Sequence, residues 1–288
     1  MAWSRWSSLA LVSLVACGTN ATTSDAGTDA SAEDAPTQDA PSDAFASPDG
    51  DAAGTPTVVY AASATALYTF DPVGKALAKV GAFTLLDGGA PEPITDIAVG
   101  VDGTIWAIST THLYAVSPSD GHVTLAGPVS ACGGGNFALG ALADGKLYTA
   151  DDTGTVCSID TTTTVVTPLG SVGQNLAVYD LVALGDGTLY ATAIDLSNAS
   201  TKTNNLLVTL DPSTGAWKST RGSTGFPSLF GVAYAQGKVL GFSHDGSGRV
   251  AVIDPTSGAG TSVGPFSDPD TQTPVVFAGA AVSPNVAP

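Results

Sequence analysis

Tyr179-Asp180-Leu181-Val182, Asp186-Gly187, Thr188-Leu189-Tyr190-Ala191, Leu207-Val208-Thr209-Leu210, Asp211-Pro212-Ser213-Thr214-Gly215: this phrase decides the fold, because the chain repeats it. The preceding copy runs Leu139-Gly140-Ala141-Leu142, Asp144-Gly145, Lys146-Leu147-Tyr148-Thr149, Val156-Cys157-Ser158-Ile159-Asp160. An earlier one runs Ile94 to Val99, Asp102-Gly103, Thr104-Ile105-Trp106-Ala107, Leu113-Tyr114-Ala115-Val116, Ser117-Pro118-Ser119-Asp120-Gly121. A later one runs Gly231-Val232-Ala233-Tyr234, Gln236-Gly237, Lys238-Val239-Leu240-Gly241, Val250-Ala251-Val252-Ile253, Asp254-Pro255-Thr256-Ser257-Gly258. The period is about forty-five residues, the size of one small sheet that cannot bury itself alone.

At the front the phrase is incomplete. Val58-Val59-Tyr60-Ala61 and Leu67-Tyr68-Thr69-Phe70-Asp71-Pro72-Val73-Gly74 match only the later strands of a copy. The missing first strand stands at the far end, as Val275 to Val282. Four full copies and one split copy predict an all-β, five-bladed β-propeller whose N- and C-terminal strands share one blade. Such pairing closes a ring without a free sheet edge. A β-sandwich of similar strand count explains the strands but not the copy-to-copy match.

The punctuation fits short antiparallel strands. Asp-Gly between apolar runs signals a hairpin, read here as a type I′ turn with positive φ at both central residues. Asp-Pro-x-x-Gly suits a turn with Pro second and Gly closing. First strands are rich in Ala and Gly, as a crowded ring axis requires.

Residues before the repeats are of another kind. Segment 1–16 has one basic residue, Arg5, and an apolar stretch too short to span a bilayer as a mature helix, so it reads as an export signal. Leu14-Val15-Ala16-Cys17 resembles the lipobox of bacterial lipoproteins. The resemblance implies cleavage before Cys17, its lipidation, and a membrane partner reached through the lipid anchor. Gly18 after the cysteine is compatible with sorting to the outer membrane of a two-membrane envelope. Segment 17–56 is Ala, Asp, Thr, Ser and Pro with almost nothing to bury, and is expected to be a disordered tether. The propeller is assigned to 57–288.

Eight of the 26 acidic residues fall in the tether, leaving 18 against eight Lys and Arg from residue 57 onward, a net charge near −10. That excludes nucleic acid as a natural partner, since phosphate binding rests on Lys and Arg. With Cys17 lipidated, Cys132 and Cys157 remain as an even pair. In an exported protein they read as a disulfide or as two separate thiols. No metal site is expected: neither cysteine has a Cys-x-x-Cys partner or a nearby His.

Catalytic signatures are sparse. His112 and His122 occupy turn-like positions, and His244-Asp245-Gly246 reads as a strand exit rather than a dyad. Asp151-Asp152-Thr153-Gly154 departs from a calcium loop and reads as a tight turn. Gly133-Gly134-Gly135 precedes a strand, not the helix a phosphate loop needs. Asp96 and Asp180 share a phase, six residues before their Asp-Gly turns, and Glu92 lies just upstream. Ala138 and Phe230 take that phase in two other copies. First strands line the axis, so these three carboxylates are the candidate site for an exported hydrolase or lyase, with separated acid and base. The bland reading is two solvated or hydrogen-bonded channel residues.

The Asp-Gly-x-Leu-Tyr-Ala and Ile-Asp-Pro-x-x-Gly phrases resemble those of quinoprotein-like, lactonase-like and NHL-like propellers. The resemblance covers 57–288 but consists of turns and carries no active-site residue across. The Trp and acid constellation of true quinoproteins is missing: Trp106 and Trp217 stand in single blades, where packing explains them. No cofactor is expected. The expectation is a monomeric cell-envelope lipoprotein whose propeller binds an envelope protein or glycan. Recognition loops are sought at Ser197–Asn205 and Gly133–Asn136. The alternative is the carboxylate hydrolase.

Overall fold

The hairpin turns show first how the sequence becomes a sheet. The computed structural model describes residues 57–197 and 204–285; the signal and tether expectations, and most of the Ser197–Asn205 insert, lie outside them. In three turns only the glycine is left-handed: Gly103, Gly145 and Gly187 have φ of 83, 82 and 83°. Gly103 N–H closes back on Gly100 O, and Gly145 and Gly187 close on Leu142 and Leu184. These are three-residue loops, a type I turn ending in a left-handed glycine, not the type I′ turns expected. The reason is the aspartate. Its carboxylate accepts an N–H two residues on, at Thr104 (3.0 Å), Lys146 (3.0 Å) and Thr188 (2.8 Å), which holds the Asp in a right-handed turn. Gln236 carries its oxygen one carbon further out and makes no such bond among those described, and there Gln236 and Gly237 are both left-handed, at 53 and 71°.

Five sheets result, each antiparallel from the axis outward. The split blade contains β1 (Val59–Ser63), β2 (Ala66–Asp71) and β3 (Ala76–Ala82). The next contains β5 (Asp96–Val99), β6 (Ile105–Ile108), β7 (His112–Val116) and β8 (His122–Pro128), with the short β4 (Thr84–Leu85) laid parallel along its outer edge. The third contains β9 (Ala138–Ala141), β10 (Leu147–Ala150), β11 (Thr155–Ile159) and β12 (Val166–Ser171). The fourth contains β13 (Leu176–Ala183), β14 (Leu189–Asp195), β15 (Leu206–Leu210) and β16 (Trp217–Ser223). The fifth contains β17 (Leu229–Ala235), β18 (Lys238–Ser243), β19 (Val250–Ile253) and β20 (Gly260–Val263). The last strand, β21 (Phe277–Ala281), returns to the first blade as its innermost member, with Tyr60 opposite Ala281 and Ala61 opposite Ala280. The protein is a five-bladed β-propeller closed in the way the repeats predict.

Burial falls from axis to rim. β5, β9 and β21 are buried throughout, whereas β8, β12 and β16 are mostly exposed. The inner strands β21, β5, β9, β13 and β17 lie side by side in a closed ring. Asp-Gly and Asp-Pro turns both fall on one face. The loops entering each blade, and those joining second to third strands, fall on the other.

The returning strand is fastened by its neighbours. Phe277 is fully buried, edge-on to Phe242 at 5.2 Å, and Phe242 is edge-on to Phe70 at 5.5 Å. In the loop before β21, Asp268 accepts from the buried Tyr68 hydroxyl (2.6 Å) and pairs with Lys79 (3.0 Å). Burial, then this bond, pushes the Tyr68 phenol up to about 12. Phe277→Ala is expected to destabilise the chain by about 3–5 kcal/mol, the range for deleting a buried aromatic ring. Urea unfolding measures it, and a change below about 1 kcal/mol contradicts the assigned closure.

Candidate functional site

Each inner strand begins with one residue too many. In β13 the register passes from Val178 opposite Ala193 to Asp180 opposite Thr192, skipping Tyr179. In β17 it skips Phe230, and in β21 it skips Ala278. Thr95 and Phe137 stand in the same place, donating to Ile108 O (2.8 Å) and Ala150 O (3.1 Å), the partners of Asp96 and Ala138. Such an extra residue re-aims the side chain beside it. The result is a ring of five around the mouth of the axis: Thr95, Phe137, Tyr179, Phe230 and Ala278.

This corrects the phase assigned to Phe230. Phe230 matches Tyr179, and Gly231 matches Asp180. The offset of one arises because the Gln236-Gly237 turn is one residue shorter than the Asp-Gly loops.

Three members of the ring are aromatic. Phe137 is 36% exposed, and Tyr179 and Phe230 are partly exposed. The Tyr179 and Phe230 rings lie 4.4 Å apart, and His244 stacks on Phe230 at 4.5 Å and 10°. His244 Nδ1 lies 2.7 Å from Phe277 O. A carbonyl only accepts, so Nδ1 carries the hydrogen. His244 directly follows β18, a strand exit, and Asp245 turns instead to Ser243 Oγ at 2.7 Å.

The loop carrying Phe137 is pinned from several sides. Cys132 and Cys157 form a disulfide. Buried Asn136 accepts from Cys132 N–H (3.2 Å) and donates to Ser130 O (3.2 Å). Buried Asp151 accepts from the N–H groups of Gly134 (2.6 Å), Thr153 (3.0 Å) and Thr155 (2.7 Å). Burial opposes its charge, but these bonds and the Thr153 hydroxyl hold its carboxyl below the usual range. Asp151–Gly154 is a tight turn, closed by Gly154 N–H on Asp151 O. Its carboxylate is spent on N–H and hydroxyl donors.

One residue deeper the ring reads Asp96, Ala138, Asp180, Gly231, Gly279. The two aspartates meet there, hydrogen-bonded to each other and with no exposed surface. A Cβ on Gly279 would fall 1.9 Å from Asp96 Oδ1, so glycine is what admits the carboxyl. Burial and then the neighbouring Asp180 push Asp96 well above the ordinary carboxylate range, and burial does the same to Asp180. Below them Val99, Ala141 and Val182 help to close the channel to a cavity of about 10 Å³, room for at most about one water.

Glu92 does not join them. It accepts from Ser109 Oγ (2.6 Å) and Thr111 Oγ1 (2.7 Å), and lies 3.3 Å from His112 Nδ1. These donors, Ser109 first, lower its carboxyl to about 2. Of the three candidate carboxylates the fold therefore unites two and sends the third to the β6–β7 loop. A wider depression of about 470 Å³ lies on the flank of the second blade, between Leu86 and the Asp120–His122 pair. The mouth aromatics escaped the sequence reading. Their signal is an aromatic directly before a small or acidic first-strand residue, as in Phe137-Ala138, Tyr179-Asp180 and Phe230-Gly231.

Comparison with known proteins gives family and shape. No curated protein sequence matches this chain. Among solved structures, Kuenenia stuttgartiensis hydrazine synthase is similar at 17% identity and TM-score 0.42, over 59% of this chain and 48% of that one. A streptogramin B lyase is similar at 13% identity and TM-score 0.40, over 73% and 64%. A chain of a nidogen/laminin complex is similar at 13% identity and TM-score 0.49, over 80% and 100%. This chain thus spans about half the length of the hydrazine synthase chain. No residue role passes from these proteins to it. The family model described as "Repeat of unknown function (DUF6923)" matches residues 101–273, more than half of the chain, and the chain belongs to that family.

Proposed function

We propose that this propeller is a binding module of the cell envelope that takes a neutral glycan on its axial mouth. The observation that carries the reading is the stack of Tyr179, Phe230 and His244, with Phe137 nearby, on the face of the long loops. Partly exposed rings offer apolar surface to a sugar ring at small entropic cost. The disulfide, Asn136 and Asp151 hold the Phe137 loop in one arrangement, which lowers the cost of binding. A net charge near −10 beyond residue 56 repels anionic polymers and leaves uncharged ones welcome.

The hydrolase alternative has less support. Separated acid and base carboxyls must flank a substrate, roughly 5–9.5 Å apart. Asp96 and Asp180 are in contact, fully buried and saturated by backbone donors, and Glu92 stays ionised beside Ser109. No face of the pair is open to a glycosidic oxygen.

The module is displayed, in this reading, by an acyl anchor on Cys17 and held off the membrane by the acidic segment 18–56. Two experiments test the proposal. Binding of the full chain to purified envelope polysaccharide is expected to weaken about tenfold in Phe230→Ala, the equivalent of about 1.4 kcal/mol, with Glu92→Gln unchanged. Equal binding by wild type and Phe230→Ala removes the mouth as the site. Capture of an envelope protein instead of polysaccharide replaces the glycan. Separately, Cys17→Ser is expected to shift the protein from the membrane to the soluble fraction and to abolish incorporation of labelled fatty acid. Membrane retention in that variant contradicts the anchor.

A further inference from the structure

The inner edge of a propeller blade poses a problem that the outer edge does not. Outer strands have water beside them. Inner strands face a dry axis, and an unpaired N–H there costs about as much as a lost hydrogen bond. In this ring each of the five inner strands aims one N–H at the two aspartates. Asp96 accepts from Ile97 of its own strand (2.7 Å) and from Leu139 of the next blade (2.6 Å). Asp180 accepts from Leu181 of its own strand (2.5 Å) and from Val232 of the next blade. The Ala280 N–H, on the returning strand β21, faces Asp180 from further off and favours its charge.

Donors and acceptors then fix the protonation. Four carboxyl oxygens face five N–H groups and each other. No other side chain of this layer accepts: its remaining members are Ala138, Gly231 and Gly279. With no proton, two anions touch at full burial. With two protons, one hydroxyl is left without a carboxylate to receive it, and the N–H groups lose their charged acceptor. With one proton, an O–H···O bond joins the carboxyls, one of them stays a carboxylate, and every N–H keeps an oxygen lone pair to meet. No Lys, Arg or His lies on any of the five inner strands. From β5 the pair meets Ile97, from β9 Leu139, and from β13 Leu181. From β17 it meets Val232, and from β21 Gly279 and Ala280. The Tyr179 ring packs on Phe230 at 4.4 Å with Asp152 the charge acting on its phenol, and His244 stacks on Phe230 at 4.5 Å.

We propose that Asp96 and Asp180 hold one proton between them and act as a single clamp on all five blades, so that losing this proton loosens the closed ring. This goes beyond ligand binding at the mouth and stands whether or not the mouth binds a glycan. The sign follows from linkage. Above the ordinary carboxylate range, near 4, the unfolded chain has both groups ionised while the folded chain keeps one proton. The folded state therefore binds one proton more, and its stability falls as pH rises through that window. For one proton the folding equilibrium constant drops about tenfold per pH unit. The contribution is full below the unfolded carboxylate value and is lost as pH climbs to the raised native value.

The experiment is infrared spectroscopy of the full chain at pH 7 to 8, with urea unfolding across pH 5 to 8. The wild type is expected to show the carbonyl band of a buried protonated carboxylic acid, and Glu92→Gln is expected to keep it. Asp96→Asn places an amide donor against Asp180 with no proton to lose. It is expected to lack the band and the one-proton dependence, while shared contributions from other groups cancel in the comparison. Absence of the band in the wild type overturns the proposal, as does an Asp96→Asn chain with the wild-type band or slope. Should Asp96→Asn fail to fold, the wild-type spectrum alone decides.

Discussion

The inward-facing N–H groups of five inner strands are the constraint on which this protein is organised. A ring of sheets has no partner for them. Nearby residues reflect the solution. Two blades contribute an aspartate, one contributes Ala138, and two contribute glycines. Gly279 has no Cβ because Asp96 Oδ1 occupies that place. The returning strand brings Gly279 and Ala280 to the axis, so closing the ring and completing the clamp are one event.

The extra residue at the head of each inner strand links that core to the surface. It lifts Thr95, Phe137, Tyr179, Phe230 and Ala278 to the mouth while the next residue turns to the axis. One local irregularity, used five times, builds both a plugged channel and an aromatic rim. The plug separates the two faces of the ring. The short turns of the opposite face are occupied by their own aspartates. Asp254, for example, accepts from Thr256 and Ser257 N–H, each at 3.0 Å, and pairs with Lys238 at 2.8 Å.

Much of this was legible in the chain. The copies of Asp-Gly and Asp-Pro-x-x-Gly, and the displaced strand at Val275–Val282, specify blade number and closure because turns and strand phase are local chemistry. Asp96 and Asp180 stood out by their shared phase, and the structure brings them together. Their burial, and the departure of Glu92 to Ser109 and Thr111, were not legible, since each depends on donors from other blades or loops. The turn type was misread because the Asp carboxylate, not only glycine, sets the backbone. Phe230 was misplaced by one because a shorter turn and an inserted residue offset the count.

Amide hydrogen exchange at Ile97, Leu139, Leu181, Val232 and Ala280 tests the central claim most directly. If one pair of carboxyls holds every blade at the axis, these five amides exchange together, at the slow limit set by global unfolding, whichever blade they belong to. Five amides with blade-by-blade rates, or a fast Ala280 beside a slow Leu181, would contradict it.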